Sequence, residues 1–412
     1  MTGGRRAGGG RRRAGYGLAA LLLTLQALTG CAPGSAEGTD DGETAVRQLL
    51  DRWSTAVRDR DENAYLAAVD PAADAYLAER RQVFGNLADV PLASWRYRLV
   101  RLTPGGGQRF TADAELRYGL TGYDTVPVTT AVRLTVVRRG ERWYVAGEQP
   151  RGGRQLWDQG PVTAVRGAHS LVLGVGQDRE RLAALADLAD RAVPAVDAAW
   201  RDNRWAGRVV VEIPASLDRM GALLDAPASN YRGIAAVTTG EVGGAGTAPA
   251  DRVIVNPEAY GRLGDFGRRV VLTHETAHVA TRAVTTPATP LWLSEGFADW
   301  AAYRDTGRTA RQAAPELAAE VTAGRPPGSL PEDADFGFAG EPGRLARAYE
   351  EGWLACRMIA ERWGEDKLVA FYRAVGARQK RAGAVEGALR DVLAVGPEDF
   401  VARWREYVAG AF

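Results

Sequence analysis

Residues 270–280 of the chain read VVLTHETAHVA, a pattern that predicts a helix with two histidines on one face. His274 and His278 are four positions apart, which on a helix leaves their Cβ atoms about 6 Å from each other. Two imidazoles at this spacing can bind a single metal ion, and zinc takes nitrogen ligands at about 2.0–2.1 Å. Glu275 projects beside them, where its carboxylate can contact a water on the metal instead of the metal itself. The stretch therefore predicts a zinc site with a proton acceptor next to it.

The alternative interpretation of this stretch is a purely structural helix whose two histidines bind no metal. The chain contains only three histidines, and two of them lie in this pattern. Apolar residues on both sides of the motif indicate that the helix is buried, and an imidazole without a partner is costly there. These observations favour the metal site.

Residues 291–300, LWLSEGFADW, supply the predicted third ligand, Glu295. A carboxylate inside such an apolar run is costly unless it is paired or binds a metal ion. Asp299 follows four residues later and shares the face of Glu295 on a helix. Since metal-bound histidines usually donate their second N–H to a carboxylate, we expect Asp299 to orient His274. The alternatives are a carboxylate at a helix N-terminus for Glu295 and a solvated helix residue for Asp299.

Together these residues resemble the gluzincin metallopeptidases, in particular the thermolysin-like and aminopeptidase-like branches. Glu295 follows His278 at a slightly shorter spacing than in the best-known members, which requires a shorter loop between the two helices. The resemblance implies one zinc ion held by His274, His278 and Glu295, and peptide-bond hydrolysis with Glu275 as the general base on zinc-bound water. It also implies a thermolysin-like zincin domain, with a small mixed sheet followed by a mainly helical part, and a peptide or protein substrate.

Tyr349 lies in the sequence AYEEGW, which is similar to a Tyr-x-x-Gly setting of the aminopeptidase-like gluzincins. The resemblance implies that this tyrosine donates a hydrogen bond to the oxyanion of the transition state. The alternative is a core residue, because helical stripes of large side chains are usually buried. The stripe in question contains Tyr349, Trp353, Cys356, Ala360 and Trp363. No acidic, glycine-rich segment resembles an anchor for a free amine, which favours an endopeptidase over an aminopeptidase.

Residues 252–256, RVIVN, form a predicted strand before the motif helix. In the resembled family an edge strand at this place pairs with an extended substrate through main-chain hydrogen bonds. An interior strand fits the same residues equally well. His169, the third histidine, is expected to be structural or exposed rather than a metal ligand.

The first 31 residues are predicted to be a targeting segment. Five arginines precede an apolar stretch, residues 17–28, that is too short to remain as a membrane-spanning helix. The sequence LTGC, residues 28–31, resembles a bacterial lipobox, which implies that Cys31 is lipidated and that the protein is anchored on the extracytoplasmic face of the cell membrane. The alternative is an ordinary secretory signal. Cys356 is the only other cysteine, so we expect no intramolecular disulfide and a small buried apolar residue at this position.

The remaining residues predict an α+β protein in two parts. Residues 32–42 are expected to be a flexible tether, and residues 43–150 show helical periodicity followed by two-residue alternation. This order, helices and then an antiparallel sheet, resembles the NTF2-like cone fold. Residues 151–161 are rich in Gly, Gln and Arg and are expected to be a linker, and residues 162–412 form the gluzincin-like domain.

The charge of the chain is nearly balanced, with 52 Lys and Arg against 51 Asp and Glu, and the formal net charge is +1. Such a balance provides no global field that would attract nucleic acid. The predicted function is zinc-dependent peptide-bond hydrolysis at the extracytoplasmic surface of the cell membrane. The alternative is a catalytically inactive lipoprotein that binds zinc or docks other molecules, because the first part contains no histidine or cysteine.

Overall fold

The computed structural model describes residues 37–201, 205–239, 251–337, 342–378 and 380–412. Residues 43–412 form one compact unit that contains an antiparallel sheet, a mixed sheet and many helices. The predicted targeting segment, residues 1–31 with Cys31, lies outside the described residues. No helix in the described ranges combines the length and the apolar character needed to cross a bilayer.

The first part of the unit is built from three helices and a four-stranded antiparallel meander in the order β1-β2-β3-β4. These elements are α1 (Glu37–Arg58), α2 (Glu62–Ala67), α3 (Asp74–Asn86), β1 (Leu92–Pro104), β2 (Arg109–Leu120), β3 (Val128–Arg139) and β4 (Arg142–Pro150). The alternation predicted for β2 is confirmed: Ala112, Ala114 and Leu116 are buried, and the intervening side chains are not.

Helix α1 begins at Glu37 and so includes residues 37–42 of the predicted tether, whereas the compact unit begins at Glu43. Its packed part carries Val46, Leu50 and Trp53, which are buried under the sheet. Helix formation is cooperative, so a turn added to an already packed helix costs far less than a new nucleus.

The second sheet has five strands in the order β5-β6-β7-β9-β8. Its strands and the helices between them are β5 (Val162–Arg166), β6 (Ser170–Val175), α4 (Arg179–Trp200), β7 (Val209–Ile213), α5 (Leu217–Leu223), β8 (Ala236–Thr238) and β9 (Val253–Val255). Strands β6, β7 and β9 are parallel, and β5 and β8 pair antiparallel at the two sides. Among the described strands, β9 is therefore interior, and β8 next to it is one of the two edges. The interpretation of residues 252–256 as an edge strand is wrong, and the interior strand is confirmed.

The described residues that follow β9 are mainly helical, as predicted. These helices are α6 (Pro257–Gly261), α7 (Asp265–Thr281), α8 (Leu291–Tyr303), α9 (Ala310–Ala313), α10 (Pro315–Thr322), α11 (Pro342–Trp363), α12 (Glu365–Gly376), α13 (Ala384–Ala388) and α14 (Pro397–Gly410). Helix α7 packs between α4 and α8, and α11 covers the other side of α8. This stacking buries Val270, Leu272 and Ala280, which flank the two histidines.

The segment between the two sheets is packed rather than loose. Residues 156–158 form a 3-10 turn, and Leu156 and Trp157 are buried in the core of the first sheet. The ring of Trp157 lies 4.9 Å from Tyr118 and 5.4 Å from Trp95, measured between ring centroids. Two residues of the predicted linker, Leu156 and Trp157, are therefore buried in this core, whereas residues 151 and 161 at its ends are exposed.

A buried ion pair joins the first sheet to strand β9. Asp124, in the turn after β2, accepts two hydrogen bonds from Arg252, at 2.8 Å to Oδ1 and 2.7 Å to Oδ2. Both side chains are almost fully buried, and Glu212 on β7 lies 3.5 Å from Arg252 Nε. Removing one member of such a pair leaves an uncompensated buried charge. The first sheet therefore fixes the start of the strand that leads to α7.

Two glycines allow the backbones of α8 and α11 to lie in direct contact where the two helices cross. A Cβ added to Gly296 would lie 2.2 Å from the carbonyl oxygen of Gly352, and one added to Gly352 would lie 2.6 Å from that of Trp292. Both distances are far below van der Waals contact with rigid backbone atoms. Any side chain here would push the two helices apart.

We expect Gly296→Ala to lower the free energy of unfolding by about 1–3 kcal/mol or more, as overpacking of a core does. Thermal unfolding measures this change. Gly85→Ala is the matched control, because Gly85 is also helical and a Cβ there meets no atom within 4 Å. The control is expected to melt at or slightly above the wild-type temperature, since Ala favours helices. A Gly296→Ala protein that melts like the wild type would contradict the close helix crossing.

Candidate metal centre

Helices α7 and α8 bring the three predicted ligands together. Nε2 of His274 lies 3.0 Å from Nε2 of His278 and 3.2 Å from Oε2 of Glu295, and Nε2 of His278 lies 3.4 Å from the same oxygen. Around a tetrahedral ion with bonds of about 2.0–2.1 Å, neighbouring donors are about 3.3–3.4 Å apart. The three donor atoms thus already have the spacing of one face of a tetrahedral zinc site. Within the described residues, this is the group of His, Cys, Asp and Glu able to hold a metal ion.

Asp299 lies where the sequence predicts it. Its Oδ1 is 2.8 Å from Nδ1 of His274, on the side of the ring opposite the donor atom Nε2. When the imidazole is neutral, a hydrogen bond from Nδ1–H to this carboxylate places the lone pair on Nε2, the atom that faces Glu295 and His278. The reading of Asp299 as a solvated residue is therefore wrong, because its side chain is only 16% exposed and contacts the imidazole.

The side chains of His274, His278 and Glu295 are largely buried, and the charges around them favour a protonated His274 and an ionised Glu295. Burial lowers the pKa of His274, but Asp299 and Glu295 outweigh it and raise this pKa to about 10. Burial raises the pKa of Glu295, but the two imidazoles outweigh it and hold this pKa well below its usual range. Glu295 is thus ionised and buried, and lies against two imidazole nitrogens rather than capping a helix.

Zinc affinity is expected to rise with pH. The charges of Asp299 and Glu295 favour the protonated imidazole of His274 in the metal-free protein, so a bound zinc ion must displace this proton. Displacing one proton strengthens the apparent affinity by about tenfold per pH unit over the range below the pKa of His274. Competition with a chromophoric chelator between pH 6 and 9 measures this slope. Asp299→Asn is the control, because it removes the charge that raises the pKa and should confine the slope to lower pH. An affinity independent of pH would contradict the assignment.

Glu275, the predicted general base, is buried on α7 and is 6% exposed. It follows His274 directly and lies about 60° from His278 around the helix, given 3.6 residues per turn. Its Oε2 accepts a hydrogen bond of 2.7 Å from the hydroxyl of Thr238, at the end of the edge strand β8. Sequence reasoning did not identify Thr238, because no local pattern indicates which strand packs against a helix.

Tyr349 on α11 contacts both the site and the core. Its ring centroid is 6.1 Å from that of His274 and 5.3 Å from that of Phe336. The side chain is partly buried, whereas Trp353 and Cys356 further along the same stripe are fully within the core. The stripe is therefore a core element, and Tyr349 is the member of it that lies beside the imidazole of His274.

The other predicted residues behave as simple structural groups. His169 is exposed, and its backbone N–H donates to Asp190. Cys356 is buried and free of a disulfide, and burial raises the pKa of its thiol well above the usual value. The expectation of a small buried apolar residue at Cys356 is confirmed.

Comparisons with known proteins give little further guidance. No family model matches the chain, and no curated protein matches it. Among solved structures, the chain is similar to an NTF2-like protein of unknown function from Pseudomonas putida KT2440, with 23% sequence identity and a TM-score of 0.23. The similarity covers 28% of this chain and 90% of that chain.

Proposed function

We propose that the protein is a zinc-dependent peptidase in which His274, His278 and Glu295 hold one zinc ion. The observation that carries this proposal is the triangle of donor atoms, with sides of 3.0, 3.2 and 3.4 Å, on two packed helices. Two imidazoles and a carboxylate are a donor set typical of catalytic zinc, since three protein ligands leave a coordination position open. The Asp299 hydrogen bond to His274 further supports a metal ligand over a solvated histidine.

When bound, zinc would lower the pKa of a coordinated water toward about 7 and polarise a carbonyl group. Glu275 would accept the proton of the attacking water and deliver it to the leaving amine. Asp299 would hold His274 in the tautomer that presents Nε2. Tyr349 would donate a hydrogen bond to the carbonyl oxygen of the substrate as negative charge develops there.

The architecture and location are part of the same proposal. Residues 162–412 would form a thermolysin-like peptidase domain, and residues 43–150 an NTF2-like domain in front of it. The lipobox-like sequence at Cys31 supports an extracytoplasmic protein anchored to the cell membrane by lipid. Its substrate would be a peptide or protein, and cleavage within the chain is favoured over removal of terminal residues.

Cleavage of a mixed peptide library by the purified protein tests this function. We expect products with the zinc-loaded protein, none after removal of zinc by a chelator, and recovery when zinc is added back. The positions of the new termini distinguish an endopeptidase from an aminopeptidase. A zinc-loaded protein that cuts no peptide in the library would instead support the catalytically inactive docking lipoprotein.

A further inference from the structure

Thr238 on the edge strand makes a buried contact with the carboxylate beside the donor triangle. Its hydroxyl oxygen lies 2.7 Å from Oε2 of Glu275 and 3.1 Å from the backbone carbonyl oxygen of the same residue. Thr238 is only 2% exposed. A hydroxyl has one proton to donate, and the shorter distance to a charged acceptor identifies the carboxylate as the partner.

We propose that Thr238 is a positioning residue for Glu275, which fixes the rotation of its carboxylate so that it meets the attacking water. This inference rests on the proposed peptidase function. A carboxylate on a flexible side chain rotates about its last bond with little preference, because terminal torsions of this type are broad. A hydrogen bond to one oxygen restricts that rotation, and a general base works only within hydrogen-bond reach of the proton it accepts.

The hydroxyl can act in this way because the strand that carries it is held firmly. Thr238 pairs with Val253, and the next residue, Thr239, exchanges hydrogen bonds of 2.8 Å with Arg252 through its own N–H and its hydroxyl. Arg282, after α7, donates to the carbonyl oxygen of Thr239 at 2.9 Å. The end of β8 is thus tied both to β9 and to the chain that follows the motif helix.

The first sheet also helps to hold the end of β8 in place, through Arg252. Arg252, which pairs with Thr239 through its backbone, uses its guanidinium group to bind Asp124 in the first sheet. The path from Asp124 to Glu275 therefore consists of one buried ion pair, one strand pairing and one side-chain hydrogen bond. This path connects a part of the chain that lacks histidine and cysteine to the general base.

Thr238→Val tests the proposal, because valine keeps the shape of threonine and replaces the hydroxyl with a methyl group that cannot donate a hydrogen bond. We expect kcat to fall by about tenfold to hundredfold, the effect of losing one hydrogen bond to a charged group. KM and the zinc content are expected to stay close to the wild-type values. Thr238→Ser keeps the hydroxyl and is expected to restore kcat to within about threefold of the wild type. A purely structural role for the side chain would not produce this rescue.

The matched control is Thr276→Val. Thr276 is also buried and lies next to Glu275, but its hydroxyl donates to the carbonyl oxygen of Leu272 at 2.7 Å, within the helix. This variant is expected to keep the wild-type kcat. A wild-type kcat in Thr238→Val, or an equal loss in Thr238→Ser, would overturn the positioning role.

The outcome is separable from that of the peptidase proposal. If Glu275→Gln is inactive while Thr238→Val is fully active, only the positioning role fails. If the wild type cuts no peptide, crystal structures of the wild type and Thr238→Val decide the matter. The proposal then predicts that the carboxylate of Glu275 is rotated in the variant, and an unchanged carboxylate overturns it.

Discussion

Glu275→Gln is expected to lower kcat for peptide cleavage by about 10²–10⁴-fold, the usual contribution of a general base. Glutamine has nearly the same shape as glutamate, and its amide oxygen can still accept the hydrogen bond from Thr238. It cannot take up a proton at neutral pH. Because neither His274 nor His278 is altered, zinc content and thermal stability are expected to remain close to those of the wild type.

Glu275→Asp is the matched variant for this prediction. Aspartate keeps the carboxylic acid but withdraws it by one methylene group from Thr238 and from the attacking water. We expect activity between that of the wild type and that of Glu275→Gln. Wild-type activity in Glu275→Gln, at full zinc occupancy, would remove Glu275 from the mechanism.

Glu295→Gln is expected to weaken zinc binding by more than hundredfold, which exceeds the roughly 10–100-fold loss typical of changing an outer hydrogen-bond partner. The carboxylate is the one anionic donor in the triangle, and without it two neutral imidazoles remain. A neutral amide oxygen is a much poorer ligand for zinc than a carboxylate or an imidazole. Competition with a chelator of known affinity measures the change.

Asp299→Asn provides the comparison, because it leaves all three donors in place and alters only the hydrogen bond to His274 Nδ1. This variant is expected to lose about 10–100-fold in zinc affinity. The informative result is the comparison: Glu295→Gln is expected to weaken zinc binding more than Asp299→Asn does. Equal zinc affinity in the wild type and Glu295→Gln would contradict the assignment of Glu295 as a ligand.

Much of the architecture around the site follows from local periodicity. Helix α4 and strand β7 each follow from a local pattern, because a long amphipathic run and a compact apolar run each indicate one structure. The convergence of His274, His278 and Glu295 was also predictable. An isolated carboxylate in an apolar helix needs a partner, and the two histidines are the partners that the chain offers.

Features that depend on tertiary contacts were not predictable in the same way. Strand β9 is interior and β8 is the edge, yet both are short apolar runs whose sequences do not reveal their order in the sheet. In strand β1, buried and exposed side chains stop alternating after Leu99, because its pairing with β2 is irregular between Leu99 and Arg101. Thr238 meets Glu275 only because β8 lies beside α7, which is a property of the folded sheet.

The most direct test of the account is a crystal structure of the protein purified without chelators, with anomalous diffraction measured on both sides of the zinc absorption edge. We expect one zinc ion per chain, about 2.0–2.1 Å from Nε2 of His274, from Nε2 of His278 and from a carboxylate oxygen of Glu295. A protein that neither contains nor rebinds zinc, or a zinc ion bound without Glu295 and with no other third ligand from the chain, would contradict it.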